Sequence, residues 1–427
     1  MKIAIWDNLS KTEKVKILER NLSNLDESLT NTVKDIIHNV KNRGDIALHE
    51  YALQFDKIAL DNICVSEDEL LQSNQLPDSD KVSIKTAIKN ISLYHERCLP
   101  KAFEYEQNKI TLGKMYRPID KVGLYIPGGT APLVSTVMML AIPALIAGCK
   151  TRVLATPARP DGTINPGILF AAKECGIQTI YKMGGAQAIA AMAYGTNSIE
   201  KVYKIFGPGN KYVTEAKIQV ASSMNGAAID MPAGPSEVLV IAEENANAKY
   251  IASDLLAQAE HDVVAHVVFV TTSEKLVNAV KLELQRQTAY LSRRDIIEKS
   301  LANSVIILAN SIKQCFEISN IYAPEHLILH IKDAKEYLSL VDNAGSVFIG
   351  EFSPEAVGDY ASGPNHVLPT YGYANMYSGL DVNHFMKSIS YQELSREGLD
   401  HIGETVMTLA NLEGLDAHKN AVAVRLA

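Results

Sequence analysis

The chain predicts an α/β protein with strands and helices alternating around largely parallel sheets, arranged in two halves. Short apolar runs alternate with helix-spaced segments from Val122 onward. This alternation forms two series, with seams near Tyr125 and near Ser236. Glycine-rich junctions recur where a predicted strand gives way to a predicted helix, as α/β units require.

Residues 1 to about 110 read as polar and helical: Val33, Ile36, Ile37 and Val40 recur at helical spacing, as do Val82, Ile84, Ile88 and Ile91. Strand–helix pairs follow at 122–126 and 132–147, 151–155 and 166–175, 179–182 and 186–193, and 202–205 and 212–220. The second series has strands at 238–241, 266–271, 305–308, 327–331 and 346–349, with helices at 248–259 and 274–287. From about Val382 the chain reads as helical, with helices expected at 391–395 and 402–412. The longest apolar stretch, 131–148, is interrupted by Pro132, Ser135 and Pro143, which suits a buried helix better than a membrane span.

With 427 residues, 47% hydrophobic and 21% charged, the composition is that of a globular protein of two or three domains. A net charge of −8 argues against broad binding to nucleic acid or anionic membrane and is compatible with a small cationic substrate. Cys64, Cys98, Cys149, Cys175 and Cys315 are dispersed and form no CxxC pair, so they read as reduced thiols in a cytoplasmic protein. Cys149 reads as a buried small residue, and the charged N-terminus is no signal peptide.

The segment Asp359-Tyr-Ala-Ser-Gly-Pro-Asn-His366 places a carboxylate, an amide and an imidazole on one turn-rich stretch. Similar groupings occur at Gln258-Ala-Glu-His261, at Glu325-His326 and at Glu413 with His418. Side chains of these types coordinate metals or move protons, so one site gathered by folding is expected. Each grouping also has a plainer reading. His261 alone is an ordinary histidine, and Glu325-His326 after Pro324 is a strand-start pair. Gln258 and His261, three apart on a predicted helix, share a face. Gln258, His261, Asp359 and His418 suit a mixed-ligand metal site, although spacing alone does not select four residues among eleven histidines and many carboxylates. His38, His49, His95, His266, His330, His384 and His401 are read as structural.

Gly123-Leu-Tyr125-Ile-Pro-Gly-Gly129, Gly184-Gly-Ala-Gln187 and Gly207-Pro-Gly-Asn210 each join a strand to a helix. None is GxGxxG, so each reads as a tight turn or a ligand loop, and Asn210 as helix cap or ligand contact. Together they favour a crevice beside carboxyl strand ends. Ser236 lacks a G-x-S-x-G setting and reads as a turn or positioning hydroxyl.

These segments, with Gly226-Ala-Ala-Ile-Asp-Met-Pro-Ala-Gly-Pro-Ser-Glu-Val-Leu-Val240 the most specific, closely resemble the histidinol dehydrogenases from about Tyr116 to Val424. The first hundred residues match loosely, and a longer connection at 157–166 is the main departure. The resemblance implies a homodimer of two incomplete Rossmann-like domains with parallel-rich sheets and helical N- and C-terminal extensions. It divides the chain into 1–20, then 21–124 with 236–381 carrying catalysis, 125–235 carrying NAD contacts, and a dimer tail at 382–427. It further implies NAD- and zinc-dependent oxidation of L-histidinol, with Gln258, His261, Asp359 and His418 as zinc ligands and Glu325 and His326 as the acid/base pair. Ser236, His366 and Glu413 resemble substrate contacts, which the zinc ligands and His326 join. Tyr125, Gln187 and Asn210 resemble NAD contacts. Glu413 and His418 are expected to reach the site from an exchanged C-terminal tail. Oxidation of another small alcohol, or zinc-dependent hydrolysis, is the alternative.

Overall fold

Runs rich in Val, Ile and Leu, with no polar face, need cover on both sides, and in the computed structural model they form parallel sheets flanked by helices. The structure describes residues 1–20, 27–128, 132–232 and 234–427. Gly129 of the first glycine junction and Ala233 ahead of Gly234 therefore lie outside the described residues. Among the described residues, the larger sheet is six-stranded, in the order Lys2–Ile5, Val305–Leu308, His266–Thr271, Glu237–Ala242, His326–His330 and Ser346–Ile349, with every pairing parallel. The chain enters at Glu237–Ala242, builds outward on one side, then returns to lay His326–His330 against that strand's other edge. The strand order reverses there, and crevices form at such points.

The second sheet runs Thr179–Lys182, Thr151–Thr156, Lys121–Tyr125, Lys204–Phe206 and Ala228–Ile229, again parallel. Its order reverses between Lys121–Tyr125 and Lys204–Phe206. A small antiparallel sheet joins Met386–Leu394, Ile110–Pro118 and Phe103–Gln107.

Several local expectations change. Lys2–Ile5 is an edge strand paired with Val305–Leu308, so the first residues are not wholly helical. The expected helix at 391–395 is instead the end of the strand Met386–Leu394. Its Ser-Ile-Ser-Tyr alternation suits a one-sided ladder, and Ile110–Pro118 supplies the partner. The tail thus opens with a strand before its two helices, Arg396–Leu412 and Asp416–Leu426. The helices expected with the larger sheet pack on the second one. Leu29, Val33, Ile37 and Val40 share a core with Ala188, Ile189 and Val213, while Ala87 and Ile91 share one with Leu140 and Ile168. Helical spacing created those apolar faces without specifying their partner. The whole strand Lys121–Tyr125 also belongs to the second sheet.

Two side chains tie the second sheet's helix Val134–Ala147 to the 359–366 segment. The Asn365 amide donates to the Met139 carbonyl at 2.6 Å, and Thr136 Oγ1 lies 3.2 Å from His366 Nε2. Asn365 also approaches His95 Nε2 at 3.4 Å. His95 is not on a polar face: it continues the Ala87 and Ile91 stripe of Asp78–Arg97 and is fully buried.

Burial pulls His95 from 6.5 down to about 4, with Asp381 opposing. The unfolded chain therefore takes up a proton before the native one does, and the stability gained from a neutral His95 is present above about pH 6.5 and lost as pH falls toward 4. On the order of 1–3 kcal/mol is at stake. His95→Leu is expected to reduce the fall in Tm between pH 7 and pH 5, measured by scanning calorimetry; an unchanged fall would exclude His95 as a source of acid sensitivity.

Candidate functional site at the amino ends of the larger sheet

The helix Ala248–Ala259 starts at Asn247, whose side chain accepts from the Lys249 amide, and buries Ile251, Leu255 and Leu256 on the larger sheet. It returns the chain to the amino ends of the strands. Gln258 in its last turn is wholly buried, and His261 follows at the exposed rim. Glu325 and His326 lie at the start of His326–His330, beside Glu237 at the start of its own strand. The catalytic candidates thus gather where the strand order reverses, but at the amino rather than the carboxyl ends. The helix Glu355–Tyr360 closes the cluster with Glu355 and Asp359.

Donor atoms of His261, Glu355 and Asp359 all lie within 4.8 Å of one another. Gln258 borders them with its amide nitrogen turned to the Glu355 carboxylate, donating at 2.7 and 2.9 Å. His326 Nε2 is 3.8 Å from Asp359 Oδ1, and Nδ1 is 3.6 Å from Glu325 Oε2. His366 donates through Nδ1 to the Asp359 carbonyl at 2.8 Å. A cleft of about 290 Å³ opens between His326, Phe348, Asp359 and His366, large enough for a small amino alcohol. The His261 imidazole, two carboxylates and the bordering Gln258 amide form a donor set that suits zinc.

Desolvation sets the protonation states. Burial raises Glu325 and Glu355 well above the carboxylate range. For Glu325, the Glu237 amide opposes the rise while the charges of Glu237 and Asp359 add to it. Burial lifts Asp359 to about 6 and pulls His326 down to about 3 and His366 to about 4. A neutral imidazole beside a carboxyl that titrates closer to neutrality can exchange protons with a substrate.

Glu355 and Glu237 were missed from the sequence. Each is one acidic residue among 49 with no histidine neighbour to single it out. The signal was burial, since both end with about 1% of their surface exposed. Ser236 sits at the cluster, its carbonyl accepting from the His266 amide at 3.2 Å. Its neighbour His266 is structural, with Nδ1 2.8 Å from the Tyr322 hydroxyl. Glu413, which caps the end of Arg396–Leu412, and His418 in the last helix are exposed, and His418 is not among the donors that gather near Asp359 within the chain.

The other three candidates line the carboxyl edge of the second sheet. The buried Tyr125 hydroxyl accepts from the Gly185 amide at 3.0 Å, and Gln187 is buried in the following helix. The Asn210 side chain caps Lys211–Ala221, its Oδ1 accepting from the amides of Tyr212 and Val213. The glycines are required by packing inside the protein. A Cβ at Gly207 would lie 2.1 Å from the Tyr125 carbonyl, and one at Gly128 would lie 2.0 Å from Pro157. A buried Lys217–Asp230 ion pair holds the turn, Lys217 donating to the Gly207 carbonyl at 2.9 Å and Asp230 accepting from its amide at 2.8 Å. Helices begin at Val134, Gly185 and Lys211 around this edge, and the positive ends of their dipoles favour an anionic ligand. Cys149 is buried, and burial pushes its thiol up to about 11, which leaves it a poor nucleophile.

Residues 19–426 match the family model described as histidinol dehydrogenase. The chain is 51% identical over 428 residues to a histidinol dehydrogenase of Campylobacter jejuni, covering 100% of this chain and 99% of that protein. It is 50% identical over 428 residues to one from Vibrio vulnificus, covering 100% and 98%. A crystal structure of histidinol dehydrogenase from Elizabethkingia anophelis superposes with a TM-score of 0.96 at 45% identity, covering 100% of this chain and 98% of that one. With matches that run end to end in both sequence and fold, the chain belongs to the histidinol dehydrogenase family of NAD-dependent oxidoreductases.

Proposed function

We propose that this chain oxidises L-histidinol through L-histidinaldehyde to L-histidine, a four-electron oxidation that passes two hydrides to two molecules of NAD, in the last steps of histidine biosynthesis. The observation that carries the reading is one side-chain cluster in which Gln258, His261 and Asp359 neighbour Glu325 and His326, beside a small cleft lined by His326, Asp359 and His366. Gln258, His261 and Asp359 would hold one zinc ion, with His418 of a second subunit as the remaining ligand. A bound zinc ion would orient and polarise the amino alcohol. Tyr125, Gln187 and Asn210 would border NAD at the second sheet's carboxyl edge, where three helix N-termini favour its pyrophosphate.

In this reading His326, neutral and buried, takes the substrate hydroxyl proton at Nε2 in each oxidation. Glu325, raised toward neutrality, takes a proton from the water that adds to the aldehyde. Ser236, His366 and Glu413 orient substrate. We place the catalytic group at 236–381 and the NAD contacts at 125–235. We read the five thiols, all free, as those of a cytoplasmic enzyme. Among the described residues no helix is long and apolar enough to cross a membrane. Exposed Leu409, Leu412, Leu415 and Val424 on the C-terminal helices supply apolar surface for a homodimer that exchanges its tails.

NADH absorbance with histidinol and NAD is the direct test. Another alcohol as the better substrate would shift the reading within the family, and ester or amide hydrolysis without NADH would overturn it. Glu325→Gln is expected to slow the aldehyde step by about 10²–10⁴-fold while affecting the alcohol step less; equal losses in stopped-flow half-reactions would remove the water-activating role. Dialysis against a chelator should abolish turnover, and added zinc should restore it; metal-free protein at full rate would exclude the ion. Co-expressed Glu325→Gln and His418→Asn chains are each expected to be inactive as homodimers but to recover about a quarter of wild-type activity as a mixture, since tail exchange leaves one intact site per heterodimer. No recovery in isolated heterodimers would place each tail in its own subunit's site.

A further inference from the structure

The Glu237 backbone grips both members of the proposed proton relay. Its N–H donates to Glu325 Oε2 at 2.8 Å, and its C=O lies 3.1 Å from His326 Nδ1. A carbonyl only accepts, so the second bond exists only when Nδ1 carries the proton and Nε2 is bare. A competing donor lies nearby, because the Gln258 amide nitrogen is 3.2 Å from the same Nδ1. That nitrogen has two hydrogens, and the two Glu355 oxygens stand closer, at 2.7 and 2.9 Å. The Glu237 carbonyl therefore keeps the Nδ1 proton.

Besides its place in the sheet, Glu237 is held through its side chain. Arg20 Nε lies 3.1 and 3.2 Å from the two Glu237 oxygens, and Nη2 lies 2.6 Å from Oε2. Nη2 also donates to the Tyr322 carbonyl at 2.6 Å, and the guanidinium lies 3.8 Å from the Tyr322 ring centre. The Tyr371 amide donates to Glu237 Oε1. Tyr371 holds a left-handed φ of 55°, a strained conformation for a tyrosine, and its ring lies against Gly234, where a Cβ would come within 1.8 Å.

We propose that Arg20 and Glu237 are positioning residues that hold His326 in its Nδ1–H tautomer, presenting a bare Nε2 to the cleft, and hold Glu325 beside it. This rests on the roles proposed for Glu325 and His326. Arg20 touches neither residue and acts only through the Glu237 backbone.

The test is long-range ¹⁵N–¹H NMR of histidine-labelled full-length protein, with His326→Asn identifying the His326 signals. In the wild type, Nδ1 should show the protonated shift and Nε2 the unprotonated one. In Arg20→Met both should move toward intermediate values, and kcat should fall roughly tenfold with KM for NAD unchanged. Arg20→Lys should recover part of each. Glu237→Gln, which keeps the side-chain shape, should give the same tautomer change and separates lost positioning from lost folding. A wild-type His326 protonated at Nε2 overturns the proposal without needing any variant. Wild-type shifts and kcat in both Arg20→Met and Glu237→Gln overturn it too. Full activity in His326→Asn would instead overturn the catalytic role while leaving the tautomer result standing.

Discussion

Buried negative charge at the amino ends of the larger sheet is the constraint on which the rest of the structure depends. Glu237, Asp254, Glu325 and Glu355 are each 5% exposed or less, and Asp359 lies among them partly covered. Ionised carboxylates withdrawn from water are costly unless paired or hydrogen-bonded. Asp254 is answered by His330 at 2.8 Å and Glu237 by Arg20. Glu355 is answered by the Gln258 amide and Glu325 by a backbone N–H. Donor atoms of Asp359, His261 and Glu355 lie within 4.8 Å of one another, a spacing at which a divalent cation would offset the remaining charge.

The partnerships divide the site between function and scaffold. Carboxylates that carry their own partner, Glu237 and Asp254, shape it. Burial raises Glu237 too, with Arg20 opposing, while Glu325 and Glu355, left to a neutral donor, are raised well above the usual range. The same desolvation that makes acid and imidazole useful near neutral pH makes their arrangement expensive. That explains why a buried arginine and a strained tyrosine are spent on one peptide unit.

The two sheets meet with opposite polarity of use. The second sheet presents its carboxyl edge and helix N-termini, suited to an anionic dinucleotide, whereas the larger sheet presents its amino ends. Asn365 and Thr136 join these edges, so the 359–366 segment is fastened to the first helix of the second sheet. Hydride transfer needs the two reacting carbons held close, and these two bonds set the spacing between the half that would bind nucleotide and the half that would bind substrate.

The sequence by itself determined the parallel sheets, because strands buried on both faces need near-continuous apolar runs, as at 238–242 and 267–270, and that pattern is local. It also marked His261, His326, Asp359 and His366 through side-chain chemistry and family motifs. Three things needed the tertiary structure. Met386–Leu394 became a strand only because Ile110–Pro118 offered a ladder. The N-terminal helices chose the second sheet through shape complementarity that their own spacing does not encode. Arg20 and Glu237, 217 positions apart, and Glu355 beneath Gln258 became part of the site only where folding removed water around them. Local periodicity sets which face of an element is apolar; which distant charge it must answer is settled only once the chain is folded.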